Sequence, residues 1–284
     1  MTANSYEEVY RIVNIDLVNL YDWLCMNKLT INLEKTKYIL YSLSSKMSES
    51  SDMRVKLNGE IIKKVDNFKF LGLHIDSGLN WKTHMHEVLT KVRRNLCVVR
   101  KISHFLNRKS LFQLYHSLIM SHIRYGIIVW HQGNISIRKK IQACANKFLR
   151  MIFFLKSRDS VKNVMKENFL LSNNQICMCE TSKVMQKVAL QEAPLAISSV
   201  FQGQRRERGM NTRSSSNIFL PFTRKSRCMQ ALSYSGPKIW NRLPDEVKNV
   251  HNNVSIMNRN SYYVTYKAFS KNIKCFALDN VDFI

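Results

Sequence analysis

Acidic side chains are scarce in this 284-residue chain: 20 aspartates and glutamates stand against 44 lysines and arginines, a formal net charge of +24. The shortage is local. Residues 1–76 hold 10 basic and 10 acidic side chains, so the whole excess falls in residues 77–284, with 34 basic against 10 acidic. Residues 77–158 carry 16 basic side chains and a single acid, Glu87. A merely solvated surface mixes both signs. One that does not is suited to a polyanion, because neutralised phosphates release condensed counterions. Nucleic acid is the first candidate partner and an anionic membrane the second. No run of 18 or more apolar residues is present and no signal-peptide pattern opens the chain, which argues against a membrane-spanning or secreted protein. A nuclear or cytoplasmic location is expected, with no membrane partner and no small-molecule ligand.

Paired cysteines are lacking too. The seven cysteines, at 25, 97, 144, 177, 179, 228 and 275, are odd in number and form no Cys-x-x-Cys pair or zinc-finger ladder, so they read as reduced and mostly buried thiols. Cys177 and Cys179, like His84 and His86, lie two residues apart, which on a helix turns the side chains about 200° away from each other. No metal site is expected. An Asp-Asp dipeptide is also absent, and its importance emerges below.

A composition of 45% apolar residues is enough to bury cores for two modest domains or one large one. Residues 6–27 place Tyr10, Val13, Leu17, Leu20, Tyr21 and Leu24 at helical spacing, with Glu7 and Glu8 at the positive end of the helix dipole. Lys37–Leu43 reads as a strand, and Ser44–Asp52 as a polar loop. Asn58-Gly59 predicts a hairpin pairing Arg54–Leu57 with Glu60–Val65, followed by an extended run over Phe68–Ile75. From Trp81 the apolar residues at 81, 85, 88, 89, 92, 96, 99 and 102 predict a helix of about six turns. Lys82, Lys91, Arg93, Arg94, Arg100 and Lys101 lie on its other faces. A second helix turns Leu111, Leu114, Tyr115, Leu118, Ile119, His122 and Tyr125 inward. A third, residues 135–152, buries Ile137, Ile141, Ala145, Phe148 and Ile152 and carries Arg138, Lys139, Lys140, Lys147 and Arg150 outside.

Residues 159–171 and 175–190 are expected to form two helices of ordinary amphipathicity, ended by Pro194. Residues 202–217, QGQRRERGMNTRSSSN, read as a basic, mobile linker or a plain spacer. Ser233–Pro244, SYSGPKIWNRLP, reads as a turn-rich box with Trp240 and Leu243 as core anchors. The last helix, residues 262–278, carries Lys267, Lys271 and Lys274 outside.

These pieces in this order resemble the C-terminal part of reverse transcriptases of non-LTR retrotransposons of the jockey and CR1 kind. The resemblance rests on Leu20–Trp23 and Asn27–Leu29, Asn32–Lys37 (NLEKTK), Val65–Asp76 (VDNFKFLGLHID), Leu79–His84 (LNWKTH), Leu114–Ile119 (LYHSLI), Arg124–Gly126 with Trp130, and the SYSGPKIWNRLP box. It implies an α+β fold: residues 1–76 as the end of the palm, 77–157 as a helical thumb, 158–193 as a helical connector, 194–232 as a basic linker and 233–284 as a C-terminal box and helix. It further implies that Phe70, Leu71 and Gly72 belong to a hairpin similar to the primer grip. Lys35 matches the family's motif lysine, suspected of assisting the leaving pyrophosphate; a surface lysine at the start of a strand is the plain alternative. The partner implied is an RNA/DNA template-primer duplex held by its backbone.

Polymerase chemistry needs clustered carboxylates to hold two Mg²⁺ ions about 3.5–4 Å apart, and in the family these include an Asp-Asp pair that this sequence lacks. No catalytic residue and no cofactor are therefore expected in this chain, although the intact family enzyme uses Mg²⁺. Asp16, Asp22, Asp66 and Asp76 have no evident paired partner. The expectation is a truncated or mis-started copy that binds nucleic acid but does not polymerise. The alternatives are a domesticated basic binding or scaffold protein, or an enzyme whose first part lies upstream.

Overall fold

The hairpin expected across Asn58-Gly59 forms, but it is shorter than its sequence suggests. The structure, a computed structural model, describes residues 5–41, 54–202, 217–224, 228–229, 231–248 and 259–280, and the chain divides into two units, Met1–His84 and Met85–Ile284. The coarse class is α+β, mostly helical with a few short strands.

In the first unit, helix α1 spans Tyr6–Met26, as expected. Its N-cap Ser5 accepts a hydrogen bond from the Glu8 amide at 3.2 Å, and Glu7 and Glu8 complement the dipole. Strands β1 (Lys37–Tyr38), β2 (Lys56–Leu57), β3 (Glu60–Ile61) and β4 (Lys63–Lys64) make two small ladders. β2 pairs antiparallel with β3 through Asn58 and Gly59, whose φ values of 48° and 80° supply the left-handed pair a two-residue hairpin needs. The partner strand does not run on to Val65 in this ladder. β4 instead pairs in parallel with β1, and the Val65 amide donates to the Tyr38 carbonyl at 3.0 Å.

Asn14 locks α1 to this layer: its side-chain amide donates to the Arg54 carbonyl at 3.1 Å and its oxygen accepts from the Lys56 amide at 2.8 Å. Tyr10, Val55, Leu57 and Ile62 form the buried centre, flanked by Val13, Leu17, Tyr21 and Leu33. Leu20, expected inward, is 44% exposed. The thin layer beneath α1 covers only a narrow stripe, and Leu20 falls at its edge.

The stretch expected to run extended from Phe68 to Ile75 folds back on itself. β5 (Asn67–Phe70) and β6 (Leu73–Asp76) are an antiparallel hairpin in which Phe70 faces Leu73 across Leu71-Gly72. Both turn residues have positive φ, 45° and 82°. A leucine in that position gives little hairpin signal, which is why the turn is hard to read from sequence.

The second unit is helical. Helix α2 runs Lys82–Ile102 and buries Met85, Val88, Leu89, Val92 and Val99. Then α3 (Arg108–Leu114) continues through a π-helical segment, Tyr115–Met120, into α4 (Ser121–Arg124). Asn107 caps α3 by accepting from the Ser110 amide at 2.8 Å. Tyr125, expected inward, is 53% exposed, because the helix ends at Arg124 and Gly126, with φ of 61°, turns the chain into α5 (Ile127–Trp130). Helix α6 spans Ile135–Ile152, and all five residues expected inward are buried.

The largest departure from the sequence reading is α8. Helix α7 covers Lys162–Glu167 and α8 covers Asn173–Ala189. Far from ordinarily amphipathic, α8 buries apolar Ile176, Met178 and Met185 together with polar Asn173, Gln175, Thr181, Ser182 and Gln186. It is the central helix, contacted by α4, α5, α9 (Leu195–Gln202), α10 (Leu232–Arg242) and α12 (Arg259–Asp279). The Gln175 side-chain amide donates to the Ala277 carbonyl and the Cys179 thiol to the Ile273 carbonyl, while Asn173 Nδ2, Ser182 Oγ and Gln186 Nε2 are buried with no hydrogen-bond partner among the described residues.

The SYSGPKIWNRLP box is also helical, not turn-rich: α10 contains Gly236 and Pro237 and packs on α8. A Cβ at Gly236 would lie 2.5 Å from the Met185 sulfur, so glycine permits the close approach. Trp240 and Leu243 are buried anchors, as expected. A short helix, α11, follows at Asp245–Lys248. The proposed linker begins as helix α9, with Phe201 buried; residues 203–216 lie outside the described residues. In α12, Lys271 is exposed and Lys274 half-buried, while the Lys267 side chain is outside the described set.

Candidate nucleic-acid interface

Helix α2 carries the most coherent part of the basic surface. With 3.6 residues per turn, Lys82, Arg93 and Arg100 fall in one row and Arg94 and Lys101 in the next, along about 28 Å of helix axis. All five are exposed, while Met85, Val88, Val92 and Val99 are buried on other faces and buried Leu89 borders the Lys82–Arg93–Arg100 row. None of the five has a carboxylate partner among the described residues. Lys91 differs, since it closes an ion pair with Glu87, the single acid of the helix, at 2.7 Å. Its charge is spent locally and it lies off the stripe.

Helix α6 presents Lys139, Lys140 and Lys147 to solvent. Arg138 does not join them. One of its Nη atoms donates to the His131 carbonyl at 2.8 Å and lies 3.4 Å from His131 Nδ1, and burial pulls the guanidinium below its ordinary pKa. His131 is itself fully buried, with Nε2 3.1 Å from Asn174 Oδ1. Desolvation, and secondarily the Arg138 charge, lower the imidazole to about 4. Arg138 is therefore a bracing residue for the α5–α6 turn. Arg108 stacks over Phe153 at 4.2 Å, and Arg150 donates to the Asp159 carbonyl at 2.9 Å.

In the first unit, Phe70 and Leu71 stand at the tip of the β5–β6 hairpin, 55% and 74% exposed, with Gly72 completing the turn. Holding a leucine at positive φ costs on the order of 1 kcal/mol, and in return the turn offers two large apolar side chains to solvent. Lys35 is exposed in a turn just before β1. Asn32 shapes that turn, accepting from the Lys35 amide at 3.0 Å on its side chain and from the Thr36 hydroxyl at 2.8 Å on its carbonyl.

Asp76 has both oxygens engaged in starting α2, accepting from the Asn80 and Trp81 amides at 2.9 and 2.8 Å. No group of three or more His, Cys, Asp or Glu side chains able to hold a metal occurs among the described residues. Cys177 and Cys179 are buried in α8, and desolvation pushes their thiols up to about 11 and about 12.

No protein-family model, curated protein or solved structure matches the chain. Among the described residues, no helix is long and apolar enough to cross a membrane.

Proposed function

We propose that this chain binds nucleic acid duplex through its sugar-phosphate backbone, as a piece of a reverse transcriptase of the non-LTR retrotransposon kind. The observation that carries the reading is the exposed row of Lys82, Arg93, Arg94, Arg100 and Lys101 on α2, where the single acid of the helix, Glu87, is paired with Lys91. A row of positive charge along a helix tracks phosphates, contacts that fix position on a duplex without carrying sequence information. The β5–β6 tip, with Phe70, Leu71 and Gly72, is suited to supporting a strand end. Lys35 is exposed and free to contact phosphate. By this reading the duplex is an RNA/DNA template-primer, and polymerisation requires carboxylates that the described residues do not assemble.

Two measurements on the full chain test this. Binding to an RNA/DNA duplex of arbitrary sequence should weaken linearly in log salt, and scrambling the sequence should leave the affinity unchanged. Salt-independent binding overturns the backbone reading. Magnesium-dependent primer extension by the purified chain overturns the assignment of a non-polymerising piece.

A further inference from the structure

A second basic constellation lies in the helical unit, away from α2. A cleft of about 30 Å³ is lined by Tyr115, His116, Arg124, Phe169, Leu170 and Lys274 among others. Its three nitrogen-bearing side chains come from three elements: the π-helical segment, α4 and α12. Among the described residues, no carboxylate lines it. Arg124 and Lys274 are close enough to act on one another's surroundings, since both lower the His116 imidazole, after burial as the larger cause, and both act on Cys179. Like charges drawn together with no anion among them are a cost that a bound anion would relieve.

The rim has a second unusual feature. Phe169 follows the end of α7 in the left-handed conformation, with φ of 52°, and its ring is 58% exposed. The Phe169 amide donates to the Lys166 carbonyl at 3.2 Å and the Leu170 amide to the Met165 carbonyl at 2.8 Å, a helix-ending motif in which glycine is the usual residue. An exposed phenyl ring is held there at a conformational cost, at a cleft lined by two cationic side chains, Arg124 and Lys274, and the His116 imidazole. Such strain gathers where a ligand is gripped.

We infer that His116, Arg124 and Lys274 form a seat for one phosphate group, with Phe169 offering a face on which the adjoining base of a single strand stacks. A cleft of about 30 Å³ holds roughly one small group, so the phosphate enters and the base remains on the rim. The chemistry is shared by free phosphate and by a strand phosphate. Tyr115 also lines the cleft, buried and pushed well above its ordinary pKa by desolvation, so it is uncharged; the nearby Glu180 and Lys183 of α8, which with Arg124 and Lys274 act on Cys179, pair with each other at 3.0 Å. The inference does not depend on the reading of α2.

The test follows the His116 ring by NMR in the full chain, with His116→Asn to assign the signal. Inorganic phosphate replacing chloride at constant ionic strength should raise the His116 pKa by about 0.5 or more, because an adjacent anion favours the imidazolium. The rise should vanish in Arg124→Gln/Lys274→Gln, with circular dichroism showing that the variant remains folded. A rise that persists in the double variant, or no rise in the parent protein, overturns the site. Oligo(dT) of ten nucleotides separates the sources: a His116 response that weakens at least threefold in affinity on Phe169→Ala identifies a strand phosphate. If the oligonucleotide gives no response while inorganic phosphate does, the phosphate seat stands and the stacking role of Phe169 is overturned. Neutralising Arg93, Arg94, Arg100 and Lys101 leaves the His116 response to inorganic phosphate intact, so the failure of one reading is distinguishable from that of the other.

Discussion

Substituting Gly236→Ala sets two effects of similar size against each other. In an ordinary helix interior the change is stabilising by about 1 kcal/mol, because alanine has the higher helix propensity. Here the new methyl would lie 2.5 Å from the Met185 sulfur and 3.3 Å from its Cγ. Met185 is fully buried, so its side chain must shift within the core to make room. Overpacking of this kind costs roughly 1–3 kcal/mol. The packing term wins, and a net loss of about 1 kcal/mol is expected, or a fall of about 2–4 °C in Tm for a unit of this size. Removing the obstruction should reverse the sign. Met185→Ala alone costs about 2–5 kcal/mol, but in that background Gly236→Ala should be neutral or stabilising. Urea unfolding followed by far-ultraviolet circular dichroism measures the whole cycle. If Gly236→Ala stabilises the parent protein, or if its effect is the same with and without Met185, then α10 does not pack on α8 as described.

Three further outcomes are expected. Changing Arg93, Arg94, Arg100 and Lys101 to Gln should reduce the slope of log affinity against log salt by about 3–4 for duplex, since each lost phosphate contact contributes about 0.9; Lys91→Gln should change it by less than about 0.5, and equal effects would refute the distinction between stripe and ion pair. The buried His131 has its pKa lowered to about 4, so the unfolded chain binds the proton first as pH falls. Its contribution is fully present above about pH 6.5 and is lost between there and about pH 4, amounting to about 3 kcal/mol. In His131→Gln that part of the pH dependence of urea stability should disappear, and an unchanged profile would refute it. Phe154 has φ of 53° and an exposed ring just beyond α6, so Phe154→Gly should raise stability by up to about 1 kcal/mol in thermal unfolding; destabilisation would mean that the ring makes a contact of its own.

Much of the architecture was legible because its signals are local. Helix α6 follows from Ile137, Ile141, Ala145, Phe148 and Ile152 at one spacing, and the β2–β3 turn follows from Asn58-Gly59, the pair that most readily adopts positive φ. The charge division near residue 76 is a property of composition and lies close to the observed unit boundary after His84. The candidate site was legible only in part. Periodicity places Arg93, Arg94, Arg100 and Lys101 on one exposed face, but it cannot show that Lys91 meets Glu87 or that Arg138 turns inward to His131.

The amino-acid sequence by itself determined the period and polarity of each segment, hence which stretches form helices, where the short hairpins turn and which part of the chain carries the positive charge. Only the tertiary structure decided what surrounds each segment. Residues 175–190 read as a helix of ordinary amphipathicity, yet neighbouring helices enclose α8, and Gln175 and Cys179 donate to carbonyls on α12. The glycine and proline of the SYSGPKIWNRLP box read as turns, yet α8 offers a surface close enough that a helix containing Gly236 fits against Met185. The cluster of His116, Arg124 and Lys274 has no sequence signature, since its members are separated by up to 158 positions and meet only when three elements pack around one cleft. Burial and long-range contact depend on what the rest of the chain brings to a residue, and that information is not contained in its own neighbourhood.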